Sequence, residues 1–119
     1  TTQQMNRYSQ SIYESHRGLF LVHVISRSEK SGQTYDIFIL VKRHKGRPID
    51  DIEKVDFYLG QYWGNKVFTE VPRDGLVGLR ASAYGPFLCV CKVHIKAEGS
   101  KPAQTIMLAR YIDFEMGER

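Results

Sequence analysis

Chemistry in this chain has few places to come from. Two aromatic residues, Trp63 and Tyr84, stand where apolar runs give way to loops, in Tyr58-Leu59-Gly60-Gln61-Tyr62-Trp63 and Ala83-Tyr84-Gly85-Pro86-Phe87. Rings at strand exits are badly placed for a core and well placed to wall a shallow pocket. Gly60 permits a bend or a close approach, and Gly85-Pro86 forces a turn that exposes the Tyr84 ring. Two such loops could hold a flat or linear group between rings: an apolar chain, a planar amide or a cation. The plain alternative is that Trp63 caps the end of the core and Tyr84 packs across it.

The remaining reactive side chains form no constellation. Cys89-x-Cys91-x-x-His94 has the composition of a metal site, but strand alternation puts the two cysteines on one face and His94 on the other. Cysteines two apart in an extended strand do not readily bridge each other. They read as reduced core residues, compatible with a reducing, cytoplasmic compartment. His23 reads as a strand residue satisfied by a neighbour, and His94, between Lys92 and Lys96, as solvated. Asp36, Asp50, Asp51, Asp56, Asp74 and Asp113 offer no carboxylate pair with a defined gap. There is no phosphate-binding glycine loop, no His-Glu-x-x-His and no pair of Cys-x-x-Cys units. No catalytic residue, cofactor or metal is expected.

Lys42, Arg43, His44, Lys45 and Arg47 form the sharpest basic cluster, on the loop after the second strand, whose charged stretch spans 43–51. It reads either as a solvated turn or as a contact patch, through Lys42, Arg43, Lys45 and Arg47, for a phosphate or an acidic protein surface. Nucleic acid is not the expected partner, because the nearest aromatics are strand residues and do not interleave with the basic ones on an exposed face.

The elements that must position these residues are strands. A chain of 119 residues makes one domain, and its 17 basic against 13 acidic side chains permit an acidic partner without demanding one. No run approaches the roughly 18 apolar residues of a membrane span. Glu14-Ser15-His16-Arg17-Gly18 separates the opening residues from the first apolar run, so no secretory leader is expected. Residues 1–17, with Met5, Tyr8 and Ile12 at helical spacing, read as a linker or short helix, helical or disordered. Residues 18–116 read as the globule. Strands are expected at 19–25, 35–41, 52–59, 66–71, 76–83, 87–95 and 105–114, with turns at 28–32, 72–75 and 98–102. Val55, Phe57 and Leu59 share one face, as do Phe87, Cys89, Cys91, Val93 and Ile95, and Ile106 and Leu108 are expected inside with Tyr111 or Ile112. Seven to eight short strands without a long helix indicate an all-β, antiparallel sandwich, with a barrel as the structural alternative.

Taken together, these segments resemble a YEATS domain, more closely its divergent bacterial form. The similarity covers 19–114. It is anchored by Gly32-Gln33-Thr34-Tyr35-Asp36 leading into 37–41, by Ile52-Glu53-Lys54-Val55-Asp56-Phe57-Tyr58-Leu59, by Ala83-Tyr84-Gly85-Pro86-Phe87 and by the closing strand at 107–114. The resemblance implies an immunoglobulin-like sandwich with no enzymatic activity. In eukaryotic readers of this type an acylated lysine lies between two aromatic rings, which Trp63 and Tyr84 would match here. The backbone of Tyr84 and Gly85 would match the groups that hydrogen-bond the amide. The implied ligand-binding set is Gly60, Tyr62, Trp63, Ala83, Tyr84, Gly85 and Pro86. Departures fall on its polar half. Gly60 stands where the readers have a pocket histidine, and Tyr62 where they have the amide-binding serine. Ala83 and Pro86 replace glycines, and Pro86 cannot donate a backbone bond. Gln33 stands near a position that is aromatic in some readers.

Bacterial relatives are often fused to signalling, membrane or effector domains. The resemblance therefore implies a sensor or adaptor module that binds an acylated lysine or another small planar group. The alternative is a structural or protein–protein interaction domain without a small-ligand pocket, since aromatic loops also serve as interface anchors.

Overall fold

The computed structural model of the chain describes residues 1–27 and 35–114. The turn expected at 28–32, Gln33, Thr34 and the end of the globule at 115–116 lie outside the described residues. A helix, α1 (Thr2–Ser15), comes first. The Thr1 hydroxyl accepts from the Gln4 N–H and caps it. The helix ends just before Gly18, whose N–H returns to the Tyr13 carbonyl at 2.9 Å. The spacing of Met5, Tyr8 and Ile12 predicts this helix, yet no residue of it is buried. It lies outside the core.

Seven strands follow among the described residues: β1 (Leu19–Arg27), β2 (Tyr35–Arg43), β3 (Ile52–Tyr58), β4 (Val67–Glu70), β5 (Val77–Ala83), β6 (Phe87–Ile95) and β7 (Gln104–Ile112). They form two antiparallel sheets, β1-β2-β5 and β4-β3-β6-β7, packed face to face. This is an immunoglobulin-like sandwich and not a closed barrel. No helix among the described residues is long and apolar enough to cross a membrane.

Period-two alternation builds the core. From one sheet come Ile37, Ile39, Val41, Val77 and Leu79; from the other come Val55, Phe57, Cys89, Cys91, Val93, Ile95, Ile106, Leu108 and Ile112. Ile112, not Tyr111, is the buried member of the closing strand. Both cysteines are free and buried, and burial pushes each thiol up to about 12. At Gly78 an added Cβ would collide with the Ile39 carbonyl oxygen, so this point of the β2–β5 pair admits no side chain.

Two expectations are corrected. The charged loop does not begin at Arg43, because β2 continues through Lys42 and Arg43, which pair with Phe20 and Leu19. His94 is not simply solvated. Its Nε2 lies 2.8 Å from Asp56 Oδ2 across the β3–β6 pair, and Asp56 also accepts from the Thr69 hydroxyl at 2.7 Å. Those two hydrogen bonds hold the Asp56 carboxyl below its ordinary range.

Candidate functional site

One end of the sandwich is closed by aromatic rings. Tyr35 meets Phe114 at 4.8 Å between centroids, Phe114 meets Phe87 edge-on at 6.5 Å, and Phe87 meets Trp63 at 4.6 Å. Trp63 is the outermost ring of this series and half-buried against the core. Its position follows from Gly60. β3 leaves the core at Leu59, and Gly60 then adopts φ 103°, a backbone state that only glycine takes readily. That residue starts a tight 3₁₀ turn, Gln61–Trp63. The Gly60 carbonyl accepts from the Trp63 and Asn65 N–H groups at 3.1 and 3.2 Å, and the Tyr58 hydroxyl donates to Asn65 Oδ1 at 2.9 Å. The turn swings Trp63 inward and leaves Tyr62 outside.

Tyr84 comes from the other side, one residue beyond β5, in the bend before Pro86. Between the loops lies a cleft of about 560 Å³, lined by Tyr62, Trp63, Ser82, Ala83, Tyr84, Gly85, Pro86 and Phe87. That volume suits a small group or a single side chain. Tyr62 is 85% and Tyr84 70% exposed, so neither ring fills the cleft. Trp63 takes Phe87 as its ring partner, and among the described residues Tyr84 has none. The lining contains no charged side chain. Just behind it, Ser82 Oγ donates to Asp36 Oδ1 at 2.8 Å.

Six of the seven residues singled out from sequence thus meet around one cleft: Tyr62, Trp63, Ala83, Tyr84, Gly85 and Pro86. Gly60 does not line it and acts through the turn. Phe87 and Ser82 also line the cleft and are not among the residues singled out from sequence. Phe87 reads as a core position, which it also is. Ser82 reads as an ordinary outward-facing strand residue, and nothing in its own neighbourhood distinguishes it.

The basic cluster lies at the far end of β2, about 25 Å from the cleft by strand rise. Lys42, Lys45 and Arg47 are exposed there. Arg43 is not available as a surface contact. Its guanidinium grips Asp51 through two bonds of 2.8 and 3.1 Å and donates to the carbonyls of Pro48 and Arg17 at 2.8 and 3.1 Å. Burial opposes the Asp51 charge, but the hydrogen bonds and charge of Arg43 outweigh it and hold the carboxyl below its usual range.

His23 Nδ1 accepts from Arg110 Nε at 2.7 Å; burial, then the Arg110 charge, lower its pKa. Cys89 and Cys91 face the core while His94 faces outward. Among the described residues no three His, Cys, Asp or Glu side chains are grouped to hold a metal. A larger hollow of about 810 Å³ lies between α1 and the sheets, beside Tyr8, Ile12, Phe20, Val90 and Met107. One of its walls is a helix with no buried residue, which meets the sandwich through the Tyr13 ring, 4.8 Å from that of His44.

Comparison with known proteins agrees with this fold. Residues 35–113 match the family model of the prokaryotic YEATS domain. Among solved structures, the Yaf9 YEATS domain recognising an H3K122suc peptide is 18% identical, with 76% of this chain and 68% of that chain aligned at a TM-score of 0.58. The yeast AF-9 homolog protein Yaf9 is 17% identical, with 76% and 64% covered at a TM-score of 0.59. The Yaf9 YEATS domain bound to H3K27ac is 15% identical, with 79% and 84% covered at a TM-score of 0.51. At these identities the likeness is one of fold. No curated protein matches the chain.

Proposed function

The chain belongs to the prokaryotic YEATS domain family, and on that premise we propose that it is a non-catalytic module whose cleft binds an acylated lysine side chain. The observation that carries this reading is the uncharged cleft between the Trp63–Phe87 wall and Tyr84. An ammonium would have to shed its hydration to enter, with no carboxylate in the lining to replace it. Acylation removes that charge and adds a planar amide that stacks on aromatic faces. Two of the solved relatives are named for peptides carrying succinylated or acetylated lysine, which favours the same ligand class here. We further propose that the module acts in the cytoplasm as the sensing or adaptor piece of a larger bacterial signalling protein, delivering a fused or bound effector to acylated partners.

The test is an NMR titration of the labelled domain with matched lysine peptides, unmodified, acetylated and crotonylated, beside a Tyr84→Ala control. Saturable shifts at Trp63, Tyr84 and their loops, seen with acylated peptide and lost in the control, are expected. A well-folded sample that shows no acyl-dependent shift refutes the reading. The exposure of Tyr62 and Tyr84 would then favour the second reading, a protein-interaction surface without a small-ligand pocket.

A further inference from the structure

Ser82 sits where the cleft meets the outer face of the β1-β2-β5 sheet. It lines the cleft and also the adjoining groove that contains Asp36, Phe38 and Arg80. The β2–β5 register sets Asp36 directly opposite Ser82, and the hydroxyl donates to the carboxylate at 2.8 Å. A serine hydroxyl has one proton and two lone pairs, while a carboxylate can only accept. Asp36 therefore takes the proton, and what the Ser82 oxygen can still offer is its lone pairs. The other side-chain polar atoms in the lining are the indole N–H of Trp63, which can only donate, and the phenol oxygens of Tyr62 and Tyr84, both on rings that stand largely in solvent.

We propose that Ser82, held in this state by Asp36, is the acceptor that reads the side-chain N–H of an acylated lysine. The inference rests on the acyl-lysine reading of the cleft and deepens it. Ser82 would touch the ligand, and Asp36 is a positioning residue that acts through Ser82. A mirror-image prospect is ruled out by the same bond: a hydroxyl whose proton is already engaged does not donate to the acyl carbonyl. The carbonyl is left to other donors of the lining, among them the Trp63 indole N–H and the backbone of the Tyr84–Gly85 bend, but not to Pro86, which has no N–H.

The test uses two ligands that differ chiefly in the group being read, the ester carbonyl being also the weaker acceptor, a difference that every variant sees alike. One is a peptide carrying acetyl-lysine; the other carries its ester isostere, with oxygen in place of the side-chain N–H. Affinities are measured by calorimetry for the wild type, Ser82→Ala, Ser82→Thr and Asp36→Asn. The wild type should favour the amide by about two- to tenfold, the range of one neutral hydrogen bond. Ser82→Ala should keep only the part of that preference that the weaker carbonyl accounts for, and Ser82→Thr should restore the rest. Asp36→Asn can donate to Ser82 and release its proton, so the preference should shrink while the fold is kept. A preference undiminished in Ser82→Ala, or a wild type that binds amide and ester equally, overturns the inference and leaves the cleft reading intact. If neither peptide binds the wild type, both fall together.

Discussion

Replacing Arg43 with alanine should destabilise the domain far more than replacing Lys42, Lys45 or Arg47 beside it. The Arg43 side chain is 13% exposed and that of Asp51 11%, so the pair is largely removed from water. Truncating Arg43 deletes four hydrogen bonds and leaves Asp51 with Arg17 at 3.5 Å as its remaining cation. Breaking a buried pair in this way costs about 3–5 kcal/mol, and the residual Arg17 contact lowers the expectation to about 2–4 kcal/mol. For a domain of this length the unfolding entropy is roughly 0.25 kcal/mol/K, so Tm should fall by about 8–16 °C. Arg43→Lys keeps the charge without the two-pronged geometry and should fall between. The effect also has a defined pH dependence. The folded Asp51 pKa is depressed, so the pair contributes fully above the ordinary Asp value of about 3.9 and the contribution drains away as pH falls through the folded value. The gap in Tm between wild type and variant should therefore narrow under acid conditions. Thermal unfolding followed by circular dichroism at several pH values measures this. An Arg43→Ala domain that melts within about 3 °C of the wild type at neutral pH would refute the assignment of Arg43 to the fold and return it to the surface patch.

Two further predictions concern the core. Gly78→Ala should cost about 1–3 kcal/mol, read as a lower denaturant midpoint at unchanged slope, because the Ile39 carbonyl cannot move aside as the side chains of Phe38 and Leu40 can. Gly85→Ala, whose added methyl meets nothing within 4 Å, is the matched control, and equal midpoints for the two variants would contradict the packing argument. Cys89 and Cys91, with thiols pushed up to about 12 by burial, should resist alkylation in the folded domain at mildly alkaline pH and react once denaturant is added; rapid native labelling, read by mass spectrometry, would disprove that.

The strands were legible where burial is one-sided. β6 alternates without a break, and β3 does so from Val55 onward, past a register shift between Ile52 and Lys54, because each has one face on the core; the inward positions of Val55, Phe57, Cys89, Cys91, Val93 and Ile95 follow from that period alone. The reading failed where a polar group is satisfied at long range. Lys42 and Arg43 look like the start of a loop. They stay in β2 because their backbones pair with β1 and because Arg43 finds Asp51, a partner that no local pattern couples to it. His94 escaped for the same reason, its partner Asp56 lying across the β3–β6 ladder. In α1 the apolar spacing was visible, but spacing cannot say whether a stripe is covered, and here it is not.

The cleft shows the same division within a few residues. Its aromatic half could be found because Gly60 and Gly85-Pro86 announce where rings leave the strands. Its polar half could not, because Ser82 acquires a direction only through Asp36, 46 residues away. The two walls also differ in what holds them. Trp63 is fixed by Phe87, and through it by Phe114 and Tyr35, so that wall is continuous with the core. Tyr84 is 70% exposed and has no ring partner among the described residues, so the facing wall rests on one side chain outside the core. On the proposed acyl-lysine reading, a change at Trp63 therefore acts on stability and recognition at once, whereas a change at Tyr84 alters what the cleft accepts at little cost to the fold. The proposed reading places Ser82 and Asp36 on the Tyr84 side of that division, on the outer face of the sheet and apart from the core.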